Sequence, residues 1–195
     1  MNKFLLIILT AILMSFELSG PAPIDRIGVK GPLVFSKIVY DLSWADKPND
    51  NYYIQEYLPK GEKTESFRHM LTIHLFTLNV TVEDAVNQKV KELEERKKTD
   101  ITCNYQVSKS PDGKEFLVDF LLSESKNDEM TIIEFNIYRY KQVVLSNNKK
   151  AILVYAYTKR AYGDDITPFL KNLKPERTEM LNKMAVVGMP EVKLK

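Results

Sequence analysis

Between Thr102 and Ala161 the chain reads as four β-rich runs separated only by short turn signals. Thr102–Ser108 and Glu115–Ser123 flank Ser110-Pro111-Asp112-Gly113. Lys126-Asn127-Asp128 leads into Met130–Val144, and Asn147-Asn148 leads into Ala151–Ala161. Connections this short join antiparallel neighbours, because a parallel partner needs a crossover of about a dozen residues or more. Consecutive hairpins therefore predict an antiparallel sheet.

The upstream half adds three more expected strands. Leu33–Trp44 is rich in β-branched and aromatic residues and is followed by turn chemistry at Asp46–Asn51. Tyr52–Leu58 is stopped by Pro59-Lys60-Gly61. Phe67–Leu78 is apolar at alternate positions on both faces, which suits a central strand covered on both sides. A helix is expected from Thr81 to near Lys98. Thr81 and Asp84 have capping-box spacing, and Val82, Ala85, Val86, Val90 and Leu93 form an apolar stripe. At the C-terminal end, Thr167 is the expected cap, with Pro168 at the first helical position. Pro175 should divide this region into a short helix and a second one running from Lys174 or Pro175 to Val187, stopped by Gly188 and Pro190. The expected fold is α+β, a central antiparallel sheet packed by helices, in a single domain over 33–195. Pro21, Pro23, Gly28, Gly31 and Pro32 mark 21–32 as an extended leader.

Residues 1–20 read as an address. Lys3 precedes an apolar run from Phe4 to Phe16, and Ser19, Gly20 and Ala22 supply small residues after it. This is the order of a secretory signal, and the run is short for a membrane span of ~20 residues. Export to the periplasm or the outside follows, with no membrane span after cleavage. The 28 basic and 26 acidic residues are interleaved and leave a net charge of +2. A protein that tracks phosphates shows a basic excess or a basic face, so no nucleic-acid partner is expected. Arg96-Lys97-Lys98 sits where it complements the negative end of the helix. The single cysteine, Cys103, allows neither an internal disulfide nor a cysteine-rich zinc site and is expected to be buried in a strand.

Motifs for chemistry are sparse. His69 and His74 are five residues apart on one strand, so they face opposite sides and cannot share a metal. The sequence holds no G-x-S-x-G, no phosphate-binding glycine pattern and no calcium-loop pattern. Asp164-Asp165 precedes a helix start and reads as capping, and Glu92, Glu94 and Glu95 read as a solvated helix face. Asn79-Val80-Thr81 matches a glycosylation triplet, but Thr81 is better used as the cap. No cofactor, metal or catalytic residue is assigned. Ten tyrosines gather in the strands, where packing explains most of them and a binding surface is the competing reading. The candidate binding residues are Tyr52, Tyr53, Glu56, Tyr57, Arg68 and His74, polar groups on otherwise apolar strands.

The order of elements over Leu33–Val187 resembles the PsbP-like fold, an α/β/α sandwich around an antiparallel sheet. Gln55-Glu56-Tyr57-Leu58-Pro59-Lys60-Gly61-Glu62, followed by Phe67–Thr72, resembles a segment common in uncharacterised exported bacterial proteins, in which a Trp often stands where this chain has Phe67. The resemblance implies a bacterial envelope protein of accessory or binding type and carries over no catalytic residues. The leading expectation is a non-catalytic exported protein that binds a macromolecular partner in the envelope, with toxin neutralisation (immunity) as one version. The alternative is a small-ligand binder or hydrolase that uses Glu56, Arg68 or His74 in a sheet-side pocket.

Overall fold

The structure, a computed structural model, describes residues 23–146 and 148–194. The signal segment expected at 1–20 lies outside them. The strands are β1 (Leu33–Phe35), β2 (Ile38–Asn49), β3 (Tyr52–Pro59), β4 (His69–Phe76), β5 (Asn104–Lys109), β6 (Glu115–Lys126), β7 (Glu129–Val144) and β8 (Lys150–Tyr162). The helices are α1 (Val82–Arg96) and α2 (Ile166–Val186), with a 3-10 turn at Gly163–Asp165. No described helix is long and apolar enough to cross a membrane.

All eight strands form one sheet in the order β1-β2-β3-β4-β8-β7-β6-β5. Two antiparallel meanders, β1–β4 and β5–β8, are joined through α1. They meet where β4 pairs antiparallel with β8, from His69↔Lys159 to Phe76↔Ile152. β4 and β8 are therefore central, which explains why their apolar residues fall on both faces.

The expected α+β fold, the PsbP-like α/β/α sandwich, is not what forms. The described residues are mostly antiparallel sheet, 46% strand against 23% helix, curled into an eight-strand half-barrel with two helices. Two physical causes are visible. α1 packs mainly on β6 and β7, and α2 on β6, β7 and β8, so neither supplies a helical layer over β1–β3. Register shifts at Leu42/Trp44, Asp46/Asn49 and Glu124/Ser125 bend the long strands, as bulges do.

Local differences from the sequence reading have equally local reasons. Leu33–Trp44 is not one strand. Ser36 and Lys37 take φ of 49° and 67° and form a two-residue turn between β1 and β2. Ser-Lys carries none of the usual glycine or asparagine signal for that geometry. Asp46–Asn49 is not a turn but the bulged end of β2. Asn127 and Asp128 do supply positive φ, 53° and 62°, between β6 and β7. α2 runs unbroken through Pro175. Pro175 is exposed, so the carbonyl it deprives of a helical partner faces water. Phe169, Leu173 and Met184 hold both halves of the helix against the sheet.

Each face of the sheet has its own core. One face gathers Ile133, Phe135, Ile137, Tyr155 and Tyr157 in one cluster with Phe169, Leu173 and Met184 of α2. Its uncovered half is closed by non-helical chain, including Ile27, Val29 and Val192. The carboxylate of Asp25 accepts the N–H groups of Ile27 and Val29 at 3.2 and 2.9 Å, and the Ile27 carbonyl accepts from Lys193 N–H at 2.7 Å. The opposite face gathers Phe116, Val118, Ile152 and Val154 under Val86 and Leu93 of α1. Cys103 is buried there. Its thiol donates to the Leu93 carbonyl at 3.5 Å, and burial pushes its pKa up.

Candidate functional site

α1 does not seal the face it covers. Between its N-terminal two-thirds and the sheet lies a cleft of about 560 Å³. The start of α1 is fixed by a complete capping box. Thr81 Oγ1 accepts the Asp84 N–H at 3.1 Å, and the Asp84 carboxylate accepts the Thr81 N–H at 3.0 Å. Val86 points down into the core, which places Ala85, Gln88, Lys89 and Glu92 along the cleft. Leu78 and Val80 form an apolar lip.

The floor is aromatic. In the register, Tyr52 lies opposite Phe76, His74 opposite Val154, and Val154 opposite Tyr140. These side chains therefore share a face across β3, β4, β8 and β7. The rings of Tyr52 and Phe76 are 4.7 Å apart at 5°, and His74 lies within 13° of both planes at 6.0 and 6.3 Å. Tyr138 is tilted against His74 at 5.6 Å and meets Phe120 edge-on at 5.0 Å.

This wall is uncharged at neutral pH. The Tyr52 hydroxyl and His74 Nδ1 are 2.8 Å apart and share a hydrogen bond. Burial, with Lys89 adding to it, pushes the His74 imidazole down to about 3. Burial, then the nearby Glu56 carboxylate, pushes the Tyr52 phenol up to about 12. Burial raises Tyr138 and Tyr140 as well. His74 Nε2 is buried with no hydrogen-bond partner among the described residues. Above the floor, Lys89 Nζ lies 5.5 Å from the Tyr138 ring and is paired with Glu92 at 2.6 Å. Neutral phenols, a neutral imidazole and a self-neutralised ion pair can stack and hydrogen-bond, but they offer no poised acid, base or nucleophile. Among the described residues no group of three or more His, Cys, Asp or Glu could hold a metal ion.

The six candidate residues divide. Tyr52 and His74 come together in the wall. Glu56 is on the same face of β3, opposite Trp44 and Thr72, but outside the lining. Its Oε2 is buried without a partner among the described residues, and burial raises its pKa against the pull of Arg160. Tyr57 faces the other side and is structural, donating to the Val29 carbonyl at 2.5 Å and accepting from Gln55 Nε2 at 2.6 Å. Tyr53 shares that side, with Lys47 5.5 Å from its ring. Arg68 sits exposed at the sheet's end, paired with Asp165 at 2.8 Å. Asp165 precedes α2 but makes no side-chain cap bond. His69 faces away from His74 and meets the Tyr157 hydroxyl at 3.0 Å.

Gln88 and Lys89 carry no sequence reading, Phe76, Ala85 and Glu92 enter only as strand, apolar-stripe and solvated-face residues, and Tyr138 and Tyr140 only as members of the tyrosine group. One signal was present: Gln88, Lys89 and Glu92 recur with Ala85 at i, i+3, i+4 and i+7, a second helical stripe that shares Ala85 with the apolar one.

No curated protein and no solved structure matches the chain, so no structural neighbour stands behind the PsbP-like resemblance. A family model matches residues 27–189, from the buried Ile27 to just beyond α2. The chain belongs to that family, which is uncharacterised.

Proposed function

We propose that this protein is a binding module whose cleft between α1 and the sheet receives a small, mostly apolar ligand. The observation that carries the reading is the floor itself. Near-parallel Tyr52, Phe76 and His74 line a volume of about 560 Å³, within the ~300–1,000 Å³ usual for ligand pockets. Titration with 1-aminoanthracene, a flat neutral fluorophore, tests it. Saturable, one-to-one binding is expected. Ala85→Trp, which fills the cleft from the α1 side without removing any core atom, should abolish it. Unsaturable binding, or binding unaffected by Ala85→Trp, contradicts the reading.

A second reading, an exported protein with a macromolecular partner in the envelope, is favoured by the half of the sheet that no helix covers. Val34, Val39 and Trp44 are exposed at 58%, 51% and 41%. Val34 pairs with Val39, and Trp44 shares the Glu56 face of the sheet. An accessory or immunity role belongs to this reading. A photo-crosslinking residue at Trp44 should give one discrete adduct in cells, absent when the same residue replaces Lys60. Identical patterns at the two positions would remove this reading.

A further inference from the structure

The chemistry of the guest rests on the cleft being a ligand site. We infer that the ligand is an uncharged, flat ring system carrying one hydroxyl or similar hydrogen-bonding group, which meets Nε2 of His74. Three independent features converge on this.

The first is ring geometry. Tyr52 and Phe76 are stacked on each other at 4.7 Å and 5°, and His74 lies within 13° of both planes at 6.0 and 6.3 Å, so the wall is a row of near-parallel rings. A flat aromatic guest suits such a row better than a branched aliphatic one, because continuing the stack or meeting the ring edges in T-shaped contact adds to simple area burial.

The second is charge. The imidazole and the phenols are neutral, and Lys89 is matched by Glu92 at 2.6 Å. The Asp84 carboxylate is taken up by Thr81 in the capping box. An anionic guest would find Glu92 and Asp84 along the cleft with no spare cation among the lining residues. A cationic guest would face Lys89 over the same floor. Burying either charge without a partner is costly.

The third is the unpartnered nitrogen. Tyr52 occupies Nδ1 of His74, which leaves Nε2 as the unused hydrogen-bonding atom of a side chain that lines the cleft. An imidazole whose Nδ1 accepts from Tyr52 carries its proton on Nε2, and one whose Nδ1 donates leaves Nε2 as an acceptor. A hydroxyl group serves both cases, since it donates and accepts. Nε2 is buried in the fold, so a side chain above the floor, such as Lys89 at 5.5 Å from the Tyr138 ring, must give way to the guest.

Three naphthalene probes separate these features at pH 7. Naphthalene offers only the ring, 2-naphthol adds a neutral hydroxyl, and 2-naphthoate adds a charge. Each is competed against 1-aminoanthracene on the full protein. The expected order is 2-naphthol tightest, by about tenfold over naphthalene for one hydrogen bond to an otherwise unsatisfied group, with 2-naphthoate weakest. His74→Phe removes Nε2, and 2-naphthol should then bind no more tightly than naphthalene to the same variant. The Nε2 nitrogen resonance of His74 in the unmutated protein provides a check that needs no variant. It should move on adding 2-naphthol and stay in place on adding naphthalene. Equal affinity for naphthalene and 2-naphthol, or a still Nε2 resonance, overturns the inference while leaving the cleft reading intact. Failure of all three probes to displace 1-aminoanthracene overturns the cleft reading itself.

Discussion

His74 carries a stability cost that shows its role at the scale of a single residue. In the unfolded chain it titrates near ~6.5, whereas in the fold burial holds it near 3. Between these values the unfolded state binds a proton that the native state refuses. The contribution is therefore complete above pH 6.5 and is lost as pH falls below it, down to about 3. Urea unfolding at pH 7 and pH 4.5 should show a marked loss for the unmutated protein and a smaller one for His74→Phe. His69, also lowered by burial, contributes equally to both proteins and cancels in the comparison. Equal acid sensitivity of the two would mean that His74 is freely protonated in the fold. Tyr52 and His74 were legible in the sequence because polar groups on apolar strands stand out. Tyr57 stood out for the same reason, yet it is a core anchor. Its partner Val29 is 28 residues away, on the other side of a turn that no local pattern marks.

At the scale of an element, α1 does two jobs with two stripes. Val86 and Leu93 attach it to β6 and β7, while Ala85, Gln88, Lys89 and Glu92 roof the cleft. The capping box fixes where the roof begins. Thr81→Ala removes one hydrogen bond to the Asp84 N–H and one to the Asp84 carboxylate. It should cost about 1 kcal/mol of stability and weaken 1-aminoanthracene binding, because Asp84 and Ala85 then lose their fixed position. Thr81→Ser, which keeps the hydroxyl, should restore both, as read by thermal unfolding and dye titration. The start of α1 and the Asn127-Asp128 turn were legible because their signals are contiguous in the chain, whereas Thr167, the expected cap of the last helix, lies inside α2. The β1–β2 turn at Ser36-Lys37 and the unbroken α2 were not legible. The first adopts positive φ without glycine or asparagine. The second persists through Pro175 because the sheet holds both of its halves, an effect no helix propensity contains.

For the whole molecule, the sequence determined the two meanders through local turns, but not how they close on each other. The β4–β8 pairing joins segments about 80 residues apart, Phe76 to Ile152 at one end and His69 to Lys159 at the other. Its specification is distributed over apolar positions that many strand partners would satisfy. Where the helices settle is also a long-range matter. On the face under α1, β6 offers Phe116, Val118 and Phe120, whereas on the same face of β2 and β3 Asp41, Asp46 and Glu56 interrupt Val39, Trp44, Ile54 and Leu58. The helix therefore covers one half of the curled sheet and leaves the other open, and the cleft lies at that boundary. An expected sandwich gives no such boundary, which is why the wall was only partly visible beforehand.

The most direct test of this account is to locate a bound guest. Nuclear Overhauser contacts should be measured between 2-naphthol and the protein with its aromatic side chains labelled. The account predicts contacts from the guest's ring protons to Tyr52, Phe76 and Tyr138, and to the methyl of Ala85 on the facing helix. Contacts confined to Val34, Val39 and Trp44, with none to Ala85 or Phe76, would place binding on the open half of the sheet and contradict it.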